Sequence, residues 1–129
     1  MNIPIKILLV DNEQDFLDVH KALLELDGAE TSSALNYNEA LKLLEKNKFD
    51  IVITDYSMPG MHGIYLLDMI KDMNPDLPVI IVSAYLDDEK REKARRKKAD
   101  LVLEKGYDYS FLLSCIIKLL KKKRKNEET

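Results

Sequence analysis

Cysteine is almost missing from this sequence. Cys115 is the one thiol in 129 residues, which excludes an internal disulfide framework and a zinc site built from several thiolates. Long hydrophobic runs are missing too. The longest aliphatic stretches, residues 7–10 and 79–82, are far too short to span a bilayer. Met1-Asn2-Ile3-Pro4 has no basic region and no apolar stretch, so no secretory signal is expected, and a reducing cytoplasm is the expected setting. Nor is there a large excess of one charge. The 20 basic and 23 acidic side chains leave −3, which argues against disorder and against a wholly basic nucleic-acid binder.

What is present suits one domain with a sizeable core, since 46% of the residues are apolar. The charge is unevenly spread. Residues 1–87 carry 6 basic and 15 acidic side chains, whereas residues 88–129 carry 14 basic and 8 acidic ones. The basic excess falls on the runs at 90–98 and 121–125, most simply solvated faces and otherwise contacts for an acidic partner or nucleic acid.

Short aliphatic runs alternate with helical patterns. Residues 5–10 read as a strand buried on both faces. Phe16, Val19, Leu23 and Leu26 mark an amphipathic helix over 13–26, closed by Asp27-Gly28. Residues 30–33 form a polar strand near an edge. Asn36 or Asn38 caps a helix running to Asn47, with Ala40, Leu41 and Leu44 inward. Strand 51–54, a Gly- and Pro-bearing loop at 57–63 and helix 64–73 follow, the helix closed by Asn74-Pro75. Then come strand 79–82, a charged helix over 87–98, strand 101–103 and helix 109–123 with Leu112, Cys115, Ile116 and Leu119 on one face. Residues 1–120 make the domain, and 121–129 a basic tail or the start of a linker. Five strands alternating with five helices imply an α/β doubly wound parallel sheet with helices on both faces.

In such sheets the ligand site lies beyond the carboxyl ends of the strands. The first strand delivers Asp11 and Asn12 there, the third Asp55, the fourth Ser83, and the fifth, one residue further on, Lys105. Two carboxylates, an amide, a hydroxyl and an ammonium therefore meet on one rim. Such a set can bind a hard divalent ion through oxygen, and a carboxylate can itself act as a nucleophile toward phosphorus.

These residues carry a family resemblance. Leu8-Leu9-Val10-Asp11-Asn12-Glu13, then Asp55-Tyr56-Ser57-Met58-Pro59-Gly60-Met61-His62-Gly63, Val82-Ser83-Ala84 and Lys105 resemble a response-regulator receiver domain of two-component signalling. The match runs from about Ile5 to Leu120. It implies the strand order 2-1-3-4-5. It also implies that Asp55 accepts a phosphoryl group from a phosphohistidine on a sensor histidine kinase or phosphotransfer protein. Asp11, Asn12, Asp55 and the Ser57 carbonyl would hold Mg²⁺, with Mn²⁺ as a substitute. Lys105 and Ser83 would contact the phosphoryl oxygens, with the backbone N–H groups of Tyr56, Ser57 and Ala84. Phosphate would switch the face formed by the fourth helix, fifth strand and fifth helix, where an unknown output partner binds. The resemblance implies signalling rather than enzymatic turnover, with self-phosphorylation from small phosphodonors and autodephosphorylation. It implies no membrane partner, DNA contact only through a separate output domain, and homodimerisation on phosphorylation as an option.

Three residues depart from the family pattern. Asn12 stands where a second acid is usual, so the site holds a formal −2 and weaker Mg²⁺ binding is expected. Val102 replaces the usual Tyr or Phe three residues before the lysine, with Tyr85 and Tyr107 as substitutes. Gly106 replaces the usual proline, which leaves the loop freer and Lys105 less rigidly held. These departures motivate a second reading, a pseudo-receiver acting as a phosphorylation-independent interaction module. An aspartyl-phosphate phosphatase would carry an acid where Ser57 stands, and a flavin site would need a Ser/Thr/Gly-rich loop where Asp11-Asn12-Glu13 stands. Simpler readings are that Asp11-Asn12 caps the first helix, His20 and His62 face solvent, Cys115 is a small core residue, and Tyr65 and Met69 pack.

Overall fold

The computed structural model describes residues 4–58 and 61–128. Five strands form one parallel sheet: β1 (Lys6–Val10), β2 (Glu30–Ala34), β3 (Ile51–Asp55), β4 (Val79–Ser83) and β5 (Leu101–Glu104). Their spatial order is β2-β1-β3-β4-β5. Helices α1 (Gln14–Leu26), α2 (Tyr37–Lys46), α3 (Gly63–Met73), α4 (Asp88–Arg96) and α5 (Tyr109–Glu128) connect and cover it.

Strand alternation divides the core in two. Ile7, Leu9, Ile51, Ile53, Ile80 and Val82 pack with Leu17 and Leu24 of α1 and Leu112 and Ile116 of α5. Leu8, Val10, Val52 and Ile81 pack with Ala40 of α2, Ile64 and Leu67 of α3 and Ala94 of α4. Every residue of β3 and β4 is buried, because both faces are roofed. Each such aliphatic side chain contributes about 1.5–3 kcal/mol of burial. The polar β2 is an edge strand, as its sequence predicts.

The ends of the helices follow their capping residues. Asn36, not Asn38, caps α2 and accepts the Glu39 N–H at 2.9 Å, while Glu39 Oε1 accepts the Leu35 N–H at 3.0 Å. Asp87 caps α4 by accepting the Lys90 N–H at 2.8 Å. At the end of α4, Lys98 takes a φ of 70°, with Ala99 N–H on the Ala94 carbonyl at 3.0 Å and Lys98 N–H on the Arg95 carbonyl at 2.9 Å.

Two segments differ from the sequence expectation. The segment read as a loop at 57–63 contains a small antiparallel ladder, Ser57–Met58 against Met61–His62. Pro59, Gly60 and the side chains of Met58, Met61 and His62 lie outside the described residues, so the solvated reading of His62 does too. α5 continues through 121–125 to Glu128, the stretch set apart in the sequence as a tail or linker.

The sheet is tied at the end opposite Asp55. Lys71 Nζ on α3 donates to the Leu77 carbonyl at 2.9 Å and to Asp100 Oδ2 at 2.8 Å. The same Asp100 oxygen accepts the Val79 N–H at 2.8 Å. One half-buried ammonium thus joins α3 to the starts of β4 and β5.

Candidate functional site

Strand register brings the rim residues level. Val10 lies beside Thr54, Asp55 beside Val82, and Ser83 beside Glu104. The ladder runs one step further, since Asp11 N–H donates to Ala34 at 3.1 Å and Lys105 N–H to Ser83 at 2.8 Å. Asp11, Asp55, Ser83 and Lys105 therefore share one rim. Asp11 is fully buried, and Asp55 and Ser83 are 7% and 3% exposed. Asn12, Ser57 and Ala84 are exposed beside them, and Tyr56 is buried.

Lys105 is the centre of charge. Its Nζ lies 2.8 Å from Asp11 Oδ2, 3.4 Å from Glu13 Oε1 and 3.7 Å from Asp55 Oδ2. The ammonium also stands 4.7 Å from the centroid of the Phe16 ring. Burial pulls the lysine pKa down, but contact with Asp11 and the charges of Asp55, Asp11 and Glu13 outweigh it, so the net shift is upward. Burial is also the main reason the Asp55 pKa rises from 3.8 to about 6. The Asp11 charge adds to that rise, while Lys105 and the N–H groups of Ser57 and Tyr56 oppose it. The Tyr56 N–H is shared, because it also donates to the Val82 carbonyl at 2.7 Å.

The two oxygens of Asp11 have different surroundings. Oδ1 accepts the Glu13 N–H at 2.9 Å just ahead of α1, but the helix begins after Glu13 with no side-chain cap, so Asp11-Asn12 does not cap it. Oδ2 is buried and, among the described residues, has no aligned hydrogen-bond donor. The 2.8 Å approach of Lys105 to it is a charge contact off the hydrogen-bonding direction. A carboxylate oxygen in that state, beside a second carboxylate, fits a hard divalent cation with oxygen ligands. Among the described residues no three His, Cys, Asp or Glu side chains converge as a metal cluster. The donor set thus consists of two carboxylates with the Asn12 amide and Ser57 carbonyl beside them.

Ser83 is on the rim, but its hydroxyl donates to the Tyr85 carbonyl at 2.8 Å. Val102 is half-buried and packs with the α2–α3–α4 cluster. Tyr85 is 68% exposed, whereas Tyr107 is half-buried.

Gly63 explains how the loop after Asp55 closes. A Cβ there would overlap the Asp55 carbonyl, so only glycine lets α3 begin against the end of β3. The Gly63 N–H donates to the Tyr56 carbonyl at 2.8 Å.

Three expectations change. Gly106 has a φ of 103°, which proline cannot adopt, so this loop takes its own path. It does not leave Lys105 loose, since three acids and a ring surround the ammonium. His20, expected in solvent, is half-buried and braces this loop. Its Nδ1 faces the Phe16 carbonyl at 2.9 Å and its Nε2 the Tyr107 hydroxyl at 2.9 Å. The carbonyl assigns the proton to Nδ1, so Tyr107 donates to Nε2. Tyr65, expected to pack, is 54% exposed.

The sequence alone did not bring Glu13, Phe16, His20 or Lys90 to the site. All four sit on or just before a helix, where a side chain's reach to the rim leaves no mark in the sequence pattern.

The comparisons with known proteins agree with this geometry. A family model, the response regulator receiver domain, matches residues 7–117. A response regulator receiver protein of Anaeromyxobacter sp. is 35% identical over 98 residues, covering 76% of this chain and 41% of its own length. The chain thus spans less than half of that relative. A CheY-like receiver domain structure from Methanospirillum hungatei has a TM-score of 0.92 at 28% identity, covering 96% of this chain and 99% of its own. A receiver domain structure from Clostridium thermocellum has a TM-score of 0.86 at 34% identity, covering 93% and 97%. The chain belongs to the response regulator receiver family, the signal-receiving module of two-component response regulators.

Proposed function

We propose that Asp55 accepts a phosphoryl group and that the acyl phosphate is the signalling state of this domain. The observation that carries the reading is the convergence on one buried rim of Asp11, Asp55 and Lys105, with Lys105 Nζ 2.8 and 3.7 Å from the two carboxylates. An Asp55 oxygen attacks the phosphorus of a kinase phosphohistidine. The O–P bond forms as the N–P bond breaks, and the imidazole leaves with the electron pair and takes up a proton. Lys105 supplies positive charge to the transferring oxygens, and the N–H groups of Ser57, Tyr56 and Ala84 orient them. Asp11, Asp55, Asn12 and the Ser57 carbonyl would hold Mg²⁺, which supplies further neutralisation of phosphoryl charge. The domain carries one phosphoryl group at a time and loses it by hydrolysis, so it reports a signal rather than turning over substrate.

The partner that donates phosphate is a histidine-phosphorylated protein. The partner that reads the state meets the basic α4 and α5 surface and is acidic there. Mass spectrometry after acetyl phosphate and Mg²⁺ treatment, with Asp55→Asn as control, tests the reading. A gain of one phosphoryl group on the parent, absent from the variant, supports it. An unmodified parent overturns it in favour of a phosphorylation-independent module.

A further inference from the structure

A hydroxyl has one proton to donate. That of Ser83 goes to the Tyr85 carbonyl, so Ser83 cannot serve a phosphoryl oxygen without leaving this bond. Lys90 reaches the same place. Its Nζ donates to the Tyr85 carbonyl at 2.7 Å and stands 3.5 Å from Ser83 Oγ. The ammonium also lies 5.4 Å from the centroid of the Tyr56 ring and 5.6 Å from that of Tyr85. One side chain from the first turn of α4 thus touches the residue after the acceptor, the hydroxyl of the rim and the carbonyl that holds it.

The rest of this loop is fixed as well. Glu104 Oε1 accepts the Leu86 N–H at 3.0 Å, and Asp87 accepts the Lys90 N–H at 2.8 Å. The backbone of Lys90 is therefore anchored by the cap while its ammonium returns to the rim. The Tyr85 carbonyl is held between two donors, and its direction sets where the Ser83 hydroxyl points.

We propose that Lys90 is a positioning residue that keeps the Ser83 hydroxyl on the Tyr85 carbonyl in the unphosphorylated protein and ties that position to α4. The proposal deepens the acceptor reading above and rests on it for its consequence. Release of Ser83 is then a step on the way to the phosphorylated state, and Lys90 sets its cost.

The experiment has two arms. In the untreated protein, three-bond couplings report the Ser83 side-chain rotamer. The parent should hold one rotamer and Lys90→Met should average between rotamers; one rotamer in both overturns the proposal. In the second arm, the rate of acetyl phosphate labelling of Asp55 is compared for Lys90→Met against parent, and for the double variant Lys90→Met/Ser83→Ala against Ser83→Ala alone. Lys90→Met should speed labelling about three- to tenfold, the scale of one hydrogen bond, and the speed-up should vanish once the hydroxyl is gone. An equal change in both backgrounds means that the charge acts directly on the phosphodonor, which overturns the proposal. A parent that is never labelled defeats the acceptor reading, while the rotamer arm still decides for or against Lys90.

Discussion

The Lys105 ammonium sits closer to Asp11, at 2.8 Å, than to Asp55, at 3.7 Å. In this state the lysine is chiefly the counter-ion of the fully buried Asp11. Lys105→Met leaves two adjacent carboxylates without their shared cation. The Asp55 pKa should rise above about 6, because Lys105 is the largest of the groups that hold it down. A ¹³C-detected titration of the Asp55 carboxyl checks this, and a fall in the variant contradicts it.

Asp55 should make stability depend on pH. Its folded pKa of about 6 exceeds its ordinary value, so between the two values the folded state holds a proton the unfolded chain has lost. Stability from this group is therefore greatest below the ordinary value and falls as pH rises through 6. Asp55→Asn should raise stability at pH 7.5 by about 1–2 kcal/mol and flatten the pH profile near 6. Denaturant titrations at pH 5 and 7.5 measure both. Acetyl phosphate labelling of the parent should also decline below pH 6, where the nucleophile is protonated.

Asn12 lies beside the buried, donor-poor oxygen of Asp11 and brings no charge. Asn12→Asp should tighten Mg²⁺ binding by about tenfold, since a carboxylate is the stronger ligand for a hard dication. Calorimetric titration of both proteins decides the matter. Equal affinity would show that position 12 does not face the metal.

Tyr107 and His20 brace the loop that carries Lys105. Tyr107→Phe removes the donor and leaves His20 Nε2 without it, at a cost of about 1–2 kcal/mol. Chemical denaturation should show the loss, and His20→Phe in the same background should add less than it does alone.

Lys98 occupies the left-handed position that ends α4, with a φ of 70°. Lys98→Gly should stabilise the fold by about 1 kcal/mol, because glycine carries no Cβ penalty there. A lowered melting temperature would contradict this.

The aliphatic runs at 51–54 and 79–82 made the sheet legible, since strands roofed on both faces admit little else. The rim followed, because the residue after each strand end falls at a known place. Lys105 was legible for the same reason. Lys90 was not, because within a run of nine mostly basic residues nothing distinguishes the one that turns back to the rim. His20 hid in a pattern whose apolar stripe runs through Phe16 and Val19, and its partner Tyr107 is 87 residues away. The path through Gly106 depends on one backbone angle that a missing proline permits but does not specify. The small ladder at 57–62 is too short to leave an alternation.

The Lys71–Asp100 pair has a mechanical consequence. It binds α3, β4 and β5 together at the amino ends of the two strands, far from Asp55. The sheet behaves like a book stitched along its spine, whose pages part only at the free edge. Any displacement provoked at the rim would meet this stitching only at the far end of β4 and β5. A signal raised at the rim would then reach the α4 and α5 surface by way of the loops at the open edge.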